Sequence, residues 1–470
     1  MDLDAFFKPR SVAVIGASRE PRKFGHVIFK NFVASEFKGR TYPVNPKTES
    51  ILGFKAYPNL KEIPDELDLA VIAVPAPIVP QTIDECLSKN VKAAVIISGG
   101  FREVGEKGEK LEREIKEKMV GSNLRIIGPN CIGVYDPSNH VDTLFLPTYR
   151  LRRPKPGSIA FISQSGAFGS AVLDWAASQD IGISKFISIG NKIDVDEVDL
   201  LSYLADDSPT TCITVYVESI GRGREFLKIA SRVTEKKPVV VLKGGTTPEG
   251  ASAALSHTGS MAGSAKIYKG AFEQAGAIQA LRVDELFDYG RVLAYQPVPK
   301  TKTDVAIITN GGGFGVISTD EASRLGIELA SFCPETMKTL KEKLPEYATP
   351  HNPLDLVGDA DVERYRMALN AVSSDPSVGV ILVIVLPQTS YIESDVVDAI
   401  TESQVTYGKP IVVCSIGGDF TQVLAEMLEE ERIPAYATPE RAINAINALL
   451  KYQKALGDKQ KRKSSRNLQS

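Results

Sequence analysis

The sequence predicts an α/β protein of three doubly wound domains: an N-terminal Rossmann-like domain followed by two flavodoxin-like ones. Three observations predict this. Short β-branched runs alternate with amphipathic stretches through most of the 470 residues, as in strand–helix–strand units around a parallel sheet. The apolar runs are continuous, not alternating, which suits strands buried on both faces. Two Pro-rich segments without period, 151–157 and 296–302, divide the pattern into three lengths, and a chain of this size has room for about three domains.

The strands follow in order. Residues 11–16, 41–44, 69–74, 93–97 and 125–127 are the apolar runs of a first domain, expected over 1–145, with helices over 80–90 and 107–120. Residues 158–162, 185–189, 211–217 and 238–242 are those of a second domain over 151–295. A third, over 302–455, has runs at 304–309, 378–384 and 410–414. The basic, polar end at 457–470 is expected to be a disordered tail. The dense mixed charges of 102–118 read as a solvated helix face.

Composition narrows the function classes. With 43% hydrophobic and 24% charged residues the chain is an ordinary globular one. A formal net charge of −3 provides no global basic field for nucleic acid or an anionic membrane. The apolar run at 378–386 is too short to span a bilayer, and the acidic N-terminus lacks a signal-peptide pattern. The five scattered cysteines form no CxxC pair and read as reduced core thiols of a cytoplasmic protein, with no metal site expected.

In open parallel sheets, ligands bind beyond the carboxyl ends of strands, so the residues after each run carry the chemistry. After the first comes a glycine-bearing turn from Gly16 to Gly25, suited to place a phosphate at a helix N-terminus. It is not GxGxxG. The second strand ends in Val44-Asn45-Pro46-Lys47, where an NAD-binding chain would carry an acid. The missing acid and the lysine favour coenzyme A, with its pyrophosphate and 3′-phosphate, over NAD, although Gly16 could simply turn the chain. The fifth strand ends in Gly128-Pro129-Asn130. Ser163-Gln164-Ser165-Gly166 and Asn310-Gly311-Gly312-Gly313-Phe314-Gly315 each precede a predicted helix, and bare backbone N–H groups at two such helix starts could face one phosphoryl group.

Only four histidines occur: His26, His140, His257 and His351. His257 lies among Gly244, Gly245, Gly250, Gly259 and Gly263, in a segment poor in bulky residues, which suits a nucleophile that accepts a phosphoryl group. An imidazole in that role needs one nitrogen fixed by a partner. Glu218, at the carboxyl end of a buried strand, is the best-placed carboxylate; the alternative is a surface residue that starts a loop. His26 could contact a ligand phosphate, and His140 and His351 read as structural. No GxxxxGK[ST] occurs, so a nucleotide site is expected elsewhere, on a partner chain.

Together Val-Ile-Gly16-Ala-Ser, Val44-Asn-Pro-Lys, Ile127-Gly-Pro-Asn130, Ser163-Gln-Ser-Gly166-Ala, Leu255-Ser-His257-Thr-Gly and Thr309-Asn-Gly-Gly-Gly313 resemble the alpha subunits of ADP-forming acetyl-CoA synthetases, and more distantly succinyl-CoA synthetase. The resemblance covers about residues 5–455. It implies an acid–thiol ligase: acyl-CoA, ADP and phosphate are interconverted with acid, CoA and ATP through an acyl phosphate and a phosphohistidine. Acetyl-CoA is the favoured substrate, but the resemblance does not fix the acid: small aliphatic, aromatic and branched acids stay open. His257 and Glu218 would be catalytic. CoA would lie on Gly16, Ala17, Ser18, Lys23, Phe24, Gly25, Asn45, Pro46, Lys47, Pro75, Ser98, Gly99 and Asn130, and phosphate on Ser165, Gly166, Asn310, Gly311, Gly312 and Gly313. ADP/ATP and Mg2+ would sit on a separate ATP-grasp beta subunit, in a heterotetramer. Here the third domain is fused to the first two, whereas succinyl-CoA synthetases carry its counterpart on the other subunit, which favours the acetyl-type branch. The alternative from another class is a non-catalytic CoA-sensing or scaffold protein that keeps the folds.

Overall fold

The computed structural model describes residues 3–252 and 264–467. The chain falls into two compact units that meet in sequence at Gln279 and Ala280.

The first unit holds two sheets. In one, parallel strands run in the order Arg40–Val44, Ser11–Ile15, Leu69–Ile72, Ala93–Ile96 and Arg125–Ile127. Their residues are almost all buried, as continuous apolar runs require. The first strand lies between the second and third, so the topological switch point falls beyond Ile15 and Ile72. The other sheet has seven strands: Ile278–Ala280 at one edge, then Val239–Lys243, Cys212–Val217, Pro156–Ser163, Ile183–Ser188, Val134–Asp136 and Val141–Asp142. The four from Val239–Lys243 to Ile183–Ser188 are parallel, and Val134–Asp136 joins antiparallel, Tyr135 opposite Phe186.

This last pairing explains why two sheets make one unit. After Ile127 the chain leaves the first sheet and adds a hairpin to the edge of the second. A single core then runs from Phe6, Phe7, Val12 and Val14 to Ile162, Ile187, Val215 and Val241. The segment 151–157, expected as a linker, is packed. Leu151 is buried, Arg153 pairs with Asp142 at 2.7 Å, and Pro156 already begins a strand. The charged run also departs from expectation, most clearly at Glu112. Glu112, inside the helix Glu106–Met119, is buried and accepts from the Asn191 side chain at 2.7 Å.

The second unit is built on one parallel sheet, ordered Leu354–Asp355, Val305–Thr309, Val380–Val385, Ile411–Ser415 and Ala435–Tyr436. Its switch point lies beyond Thr309 and Val385. The polar tail expected to be disordered from residue 457 instead continues the last helix, Pro439–Asn467. The early turns anchor it through buried Ala442, Ile443, Ile446 and Leu449. The rest is rich in Lys, Gln and Arg, with one glycine and no proline, which propagates a helix once it is anchored. No helix among the described residues is long and apolar enough to cross a membrane.

Candidate functional site

Gly16 ends the first strand at φ +88°, and a Cβ there would sit 2.5 Å from the Ala73 carbonyl oxygen. Only glycine lets the loop pass this close to the neighbouring strand. Gly25 serves a second close approach: its Cβ would lie 2.1 Å from the Gly16 carbonyl oxygen. The start of the helix Phe24–Ala34 is thereby pressed against the Gly16–Ala17 turn, with no side chain capping its first N–H groups.

At this switch point opens a cavity of about 980 Å³. Gly16, Ser18, Lys23, Phe24, Gly25, Asn45, Pro46, Lys47, Pro75, Ser98 and Gly99 all line it. Ala17 does not; its carbonyl accepts from the Asn45 side chain at 2.7 Å, which ties the first loop to the second. Asn45 Oδ1 in turn accepts from the Lys47 N–H at 2.8 Å, forming the turn that carries the lysine. The Ser98 hydroxyl donates to the Val74 carbonyl. Arg22 also lines the cavity and was not anticipated. Arg22, Lys23 and Lys47 give the cavity its cationic rim, the charge that a diphosphate and a 3′-phosphate require. His26 faces away from this cavity. Its Nδ1 meets the Ser18 carbonyl at 2.8 Å, and its ring lines a separate cavity of about 450 Å³ with His140.

A second cavity, about 580 Å³, shares Phe24, Ile97 and Gly99 with the first. It brings Ser165, Gly166, Glu218 and Asn130 together. Asn130 therefore belongs here and not with the first cavity. It is held at φ +58°, with its N–H donating to the Ser98 carbonyl at 2.9 Å. Ser165 is the N-cap of the helix Gly166–Ser178, and its hydroxyl accepts from the Phe168 N–H at 3.3 Å.

Glu218 follows directly on the strand Cys212–Val217. Gln164 fixes its backbone: the Gln164 Oε1 accepts from the N–H groups of Glu218 at 2.7 Å and Ser219 at 3.0 Å, while Nε2 donates to the Ser219 carbonyl at 2.6 Å. Lys192 holds the same turn from another side. Its ammonium donates to the Ser219 carbonyl at 2.7 Å and to Glu197 at 3.0 Å. Glu197 is fully buried, and burial pushes its pKa up against the opposing Lys192 charge. The Glu218 carboxylate accepts from the Tyr216 hydroxyl at 3.3 Å. Burial, with that carboxylate adding to it, pushes Tyr216 up to about 12. Lys243 stands behind: burial pushes its pKa down, and the Glu218 charge works against that shift.

Glu103 completes the polar wall. Burial would raise its carboxyl, but the Asn191 side chain and the N–H groups of Phe101 and Gly100 outweigh it and hold the pKa below the usual range. Glu103 is thus an anion committed to structure. Gln164, Lys192, Asn191 and Glu103 were not anticipated. Gln164 sits inside a quoted loop, and Gly190-Asn191-Lys192 follows a strand, so reading every strand end would have found them.

In the second unit the helix Gly312–Arg324 starts at Gly311 with no capping side chain. Asn310 is buried, and its side chain clamps Leu386, donating to the carbonyl at 3.0 Å and accepting from the N–H at 2.9 Å. That leaves the N–H groups of Gly312 and Gly313, not the Asn310 amide, for a ligand. A Cβ on Gly312 would lie 2.6 Å from Asp355 Oδ2, whereas Gly313 faces open space. His257 lies outside the described residues, as do Gly259 and Gly263. No group of three or more metal-ligating side chains occurs among the described residues.

Comparisons with known proteins agree with this arrangement. Residues 10–137 match the model of a CoA binding domain, 156–293 that of the succinyl-CoA ligase like flavodoxin domain, and 305–460 that of the ligase-CoA domain. The chain is 42% identical to the alpha subunit of acetate–CoA ligase [ADP-forming] I of Pyrococcus furiosus, covering 97% of this chain and 98% of that one. It is 41% identical to acetate–CoA ligase [ADP-forming] I of Archaeoglobus fulgidus over 96% of its own length, but spans only 64% of that longer relative. Among solved structures, the dinucleotide forming acetyl-coenzyme A synthetase 1 of Ca. Korarchaeum cryptofilum, in complex with phosphate and ADP, superposes with a TM-score of 0.90 at 39% identity, covering 97% of this chain and 98% of that one. On the identity, the coverage and the three matched domains, the chain belongs to the family of the alpha subunits of ADP-forming acetate–CoA ligases.

Proposed function

We propose that the chain catalyses the acyl-CoA half of an ADP-forming acyl-CoA synthetase reaction, with acetyl-CoA as the favoured substrate. The observation that supports it most is the continuity of two chemically different cavities. The cationic cavity at the first switch point fits the phosphates of CoA, and three shared residues lead from it to the space bounded by Ser165, Gly166 and Glu218.

The chemistry follows from those neighbours. A phosphate oxygen adds to the thioester carbonyl, the C–S bond breaks, and CoA leaves as a thiolate that takes up a proton. The N–H groups at the start of the helix Gly166–Ser178 favour the phosphate's negative charge. His257 then attacks phosphorus, the P–O bond to the carboxylate breaks, and the free acid departs. Glu218 would accept a hydrogen bond from the imidazole, fix its tautomer and offset the positive charge that develops. In the second unit, the uncapped helix start at glycines 312 and 313 is an anion-binding group of the same kind.

Transfer onward to ADP is assigned to an ATP-grasp beta subunit that carries nucleotide and Mg2+, in a heterotetramer and in a cytoplasmic setting. The reading is supported by the Pyrococcus relatives, which are named as alpha subunits and match over 98% and 99% of their length. The test uses the purified chain with acetyl-CoA. CoA should be released only when phosphate is added, and the chain should gain one phosphoryl group. Release of CoA without phosphate, or no release with it, overturns the proposal.

A further inference from the structure

We infer that the stacked pair Phe24 and Phe145 is the wall that sets acyl-group size, and that it restricts the chain to short acyl groups. The inference rests on the function proposed above and concerns the same site.

Phe24 is among the more exposed phenylalanines of the chain. It opens the helix Phe24–Ala34 and is 53% exposed, although most phenylalanines of the first unit are buried. It lines both cavities. Its ring stacks on Phe145 at a centroid distance of 4.1 Å and an interplanar angle of 29°. Phe145 lines only the second cavity. With the nucleotide end of CoA at the cationic rim, the sulfur reaches the start of the helix Gly166–Ser178 only by passing this junction. The acyl group is bonded to that sulfur and must lie against the junction's walls.

The lining is mixed in character: Ile97, Cys131, Ile132 and Phe145 are apolar, and Asn130, Asn191, Lys192 and Glu218 are polar. Phosphate belongs with the helix start and the polar residues, so an apolar acyl tail partitions to the apolar ones. The two stacked rings occupy the space into which a longer or aromatic tail would extend. A tail of one or two carbons fits beside them; a ring must displace one of them. Removing Phe145 opens a ring-sized space on the acyl side and leaves the CoA cavity's own lining untouched.

The experiment measures the initial rate at which radiolabelled phosphate enters the full-length chain with acetyl-CoA, butyryl-CoA or phenylacetyl-CoA. The wild type should favour acetyl-CoA. In Phe145→Ala the acetyl to phenylacetyl rate ratio should fall by at least about 10-fold, in the range that pocket size confers in hydrophobic sites. Calorimetric CoA affinity should stay within about 2-fold, since Phe145 does not line that cavity. Should the alanine variant fail to fold, Phe145→Leu makes the same comparison, with a fall of about 3-fold expected for the smaller opening. A ratio within about 2-fold of wild type in the folded variant, with acetyl-dependent labelling intact, overturns the inference. A wild type labelled with none of the three thioesters overturns the function proposed above, and the inference with it.

Discussion

At the scale of residues, the neighbours of Glu218 leave it no choice of place. Gln164 takes both N–H groups of the turn, Lys192 takes the carbonyl that follows, and only the carboxylate remains exposed to the cavity. Glu218→Gln keeps the shape and the turn but removes the charge. The single-turnover rate of phosphoryl transfer from acetyl-CoA and phosphate to the chain should fall by about 10² or more, the usual scale of a general acid–base contribution, while CoA affinity stays unchanged. Rapid-quench labelling and calorimetry on the same preparation check both, and a near-normal rate returns Glu218 to a surface role. The place of Glu218 was legible in the sequence because a lone acid at the end of a largely apolar strand is conspicuous. Lys192 was not. Its part depends on a left-handed backbone at φ +48° and on Glu197 and Ser219, and periodicity carries neither the dihedral nor the partners.

At the scale of elements, the loops after strands were legible and the short strands were not. Continuous apolar runs mark the central strands within one or two residues of where they lie, for instance 211–217 against Cys212–Val217. The pieces Val134–Asp136 and Val141–Asp142 are too short to show any period. Their place is set by edge pairing in the other sheet, which only the fold supplies. The two-strand hairpin Ser50–Ile51 and Phe54–Lys55 escaped notice for the same reason. The packing of the helix Phe24–Ala34 on the Gly16 turn can be tested alone. In Gly25→Ala the new Cβ would fall 2.1 Å from the Gly16 carbonyl oxygen, so the helix start must move off the loop that cradles the ligand. CoA binding should weaken by at least about 10-fold in a protein that still folds, given that one misplaced anion contact costs about 1.4 kcal/mol or more. Unchanged affinity in a calorimetric titration would show that this close approach does not shape the site.

At the scale of the whole molecule, the sequence displays three strand–helix lengths, while the first two share one core. What joins them is the chain from Gly128 to Asp142, whose conformation rests on tight glycines and edge pairing. The same segment puts Asn130, Cys131 and Ile132 in the lining of the second cavity, so the space that an acyl group would enter is a by-product of how the sheets are joined. The chain carries no phosphate-binding GxxxxGK[ST] loop, and the longer Archaeoglobus relative extends well beyond the matched region. The purified chain should therefore release CoA from acetyl-CoA in the presence of phosphate yet form no ATP from ADP until a nucleotide-binding partner is added. Luminescent ATP detection reads this directly, and steady ATP formation by the chain alone contradicts the two-subunit account.

The central claim is that acyl-group chemistry at the second cavity ends on the imidazole of His257. The measurement that tests it most directly is to locate the phosphoryl group after incubation with acetyl-CoA and phosphate, by mass spectrometry of peptides kept at alkaline pH. The account predicts one acid-labile, base-stable phosphoryl group on His257, absent from His257→Ala even though that variant still binds CoA. A group that persists in His257→Ala, or that maps to His26, His140 or His351, would contradict it.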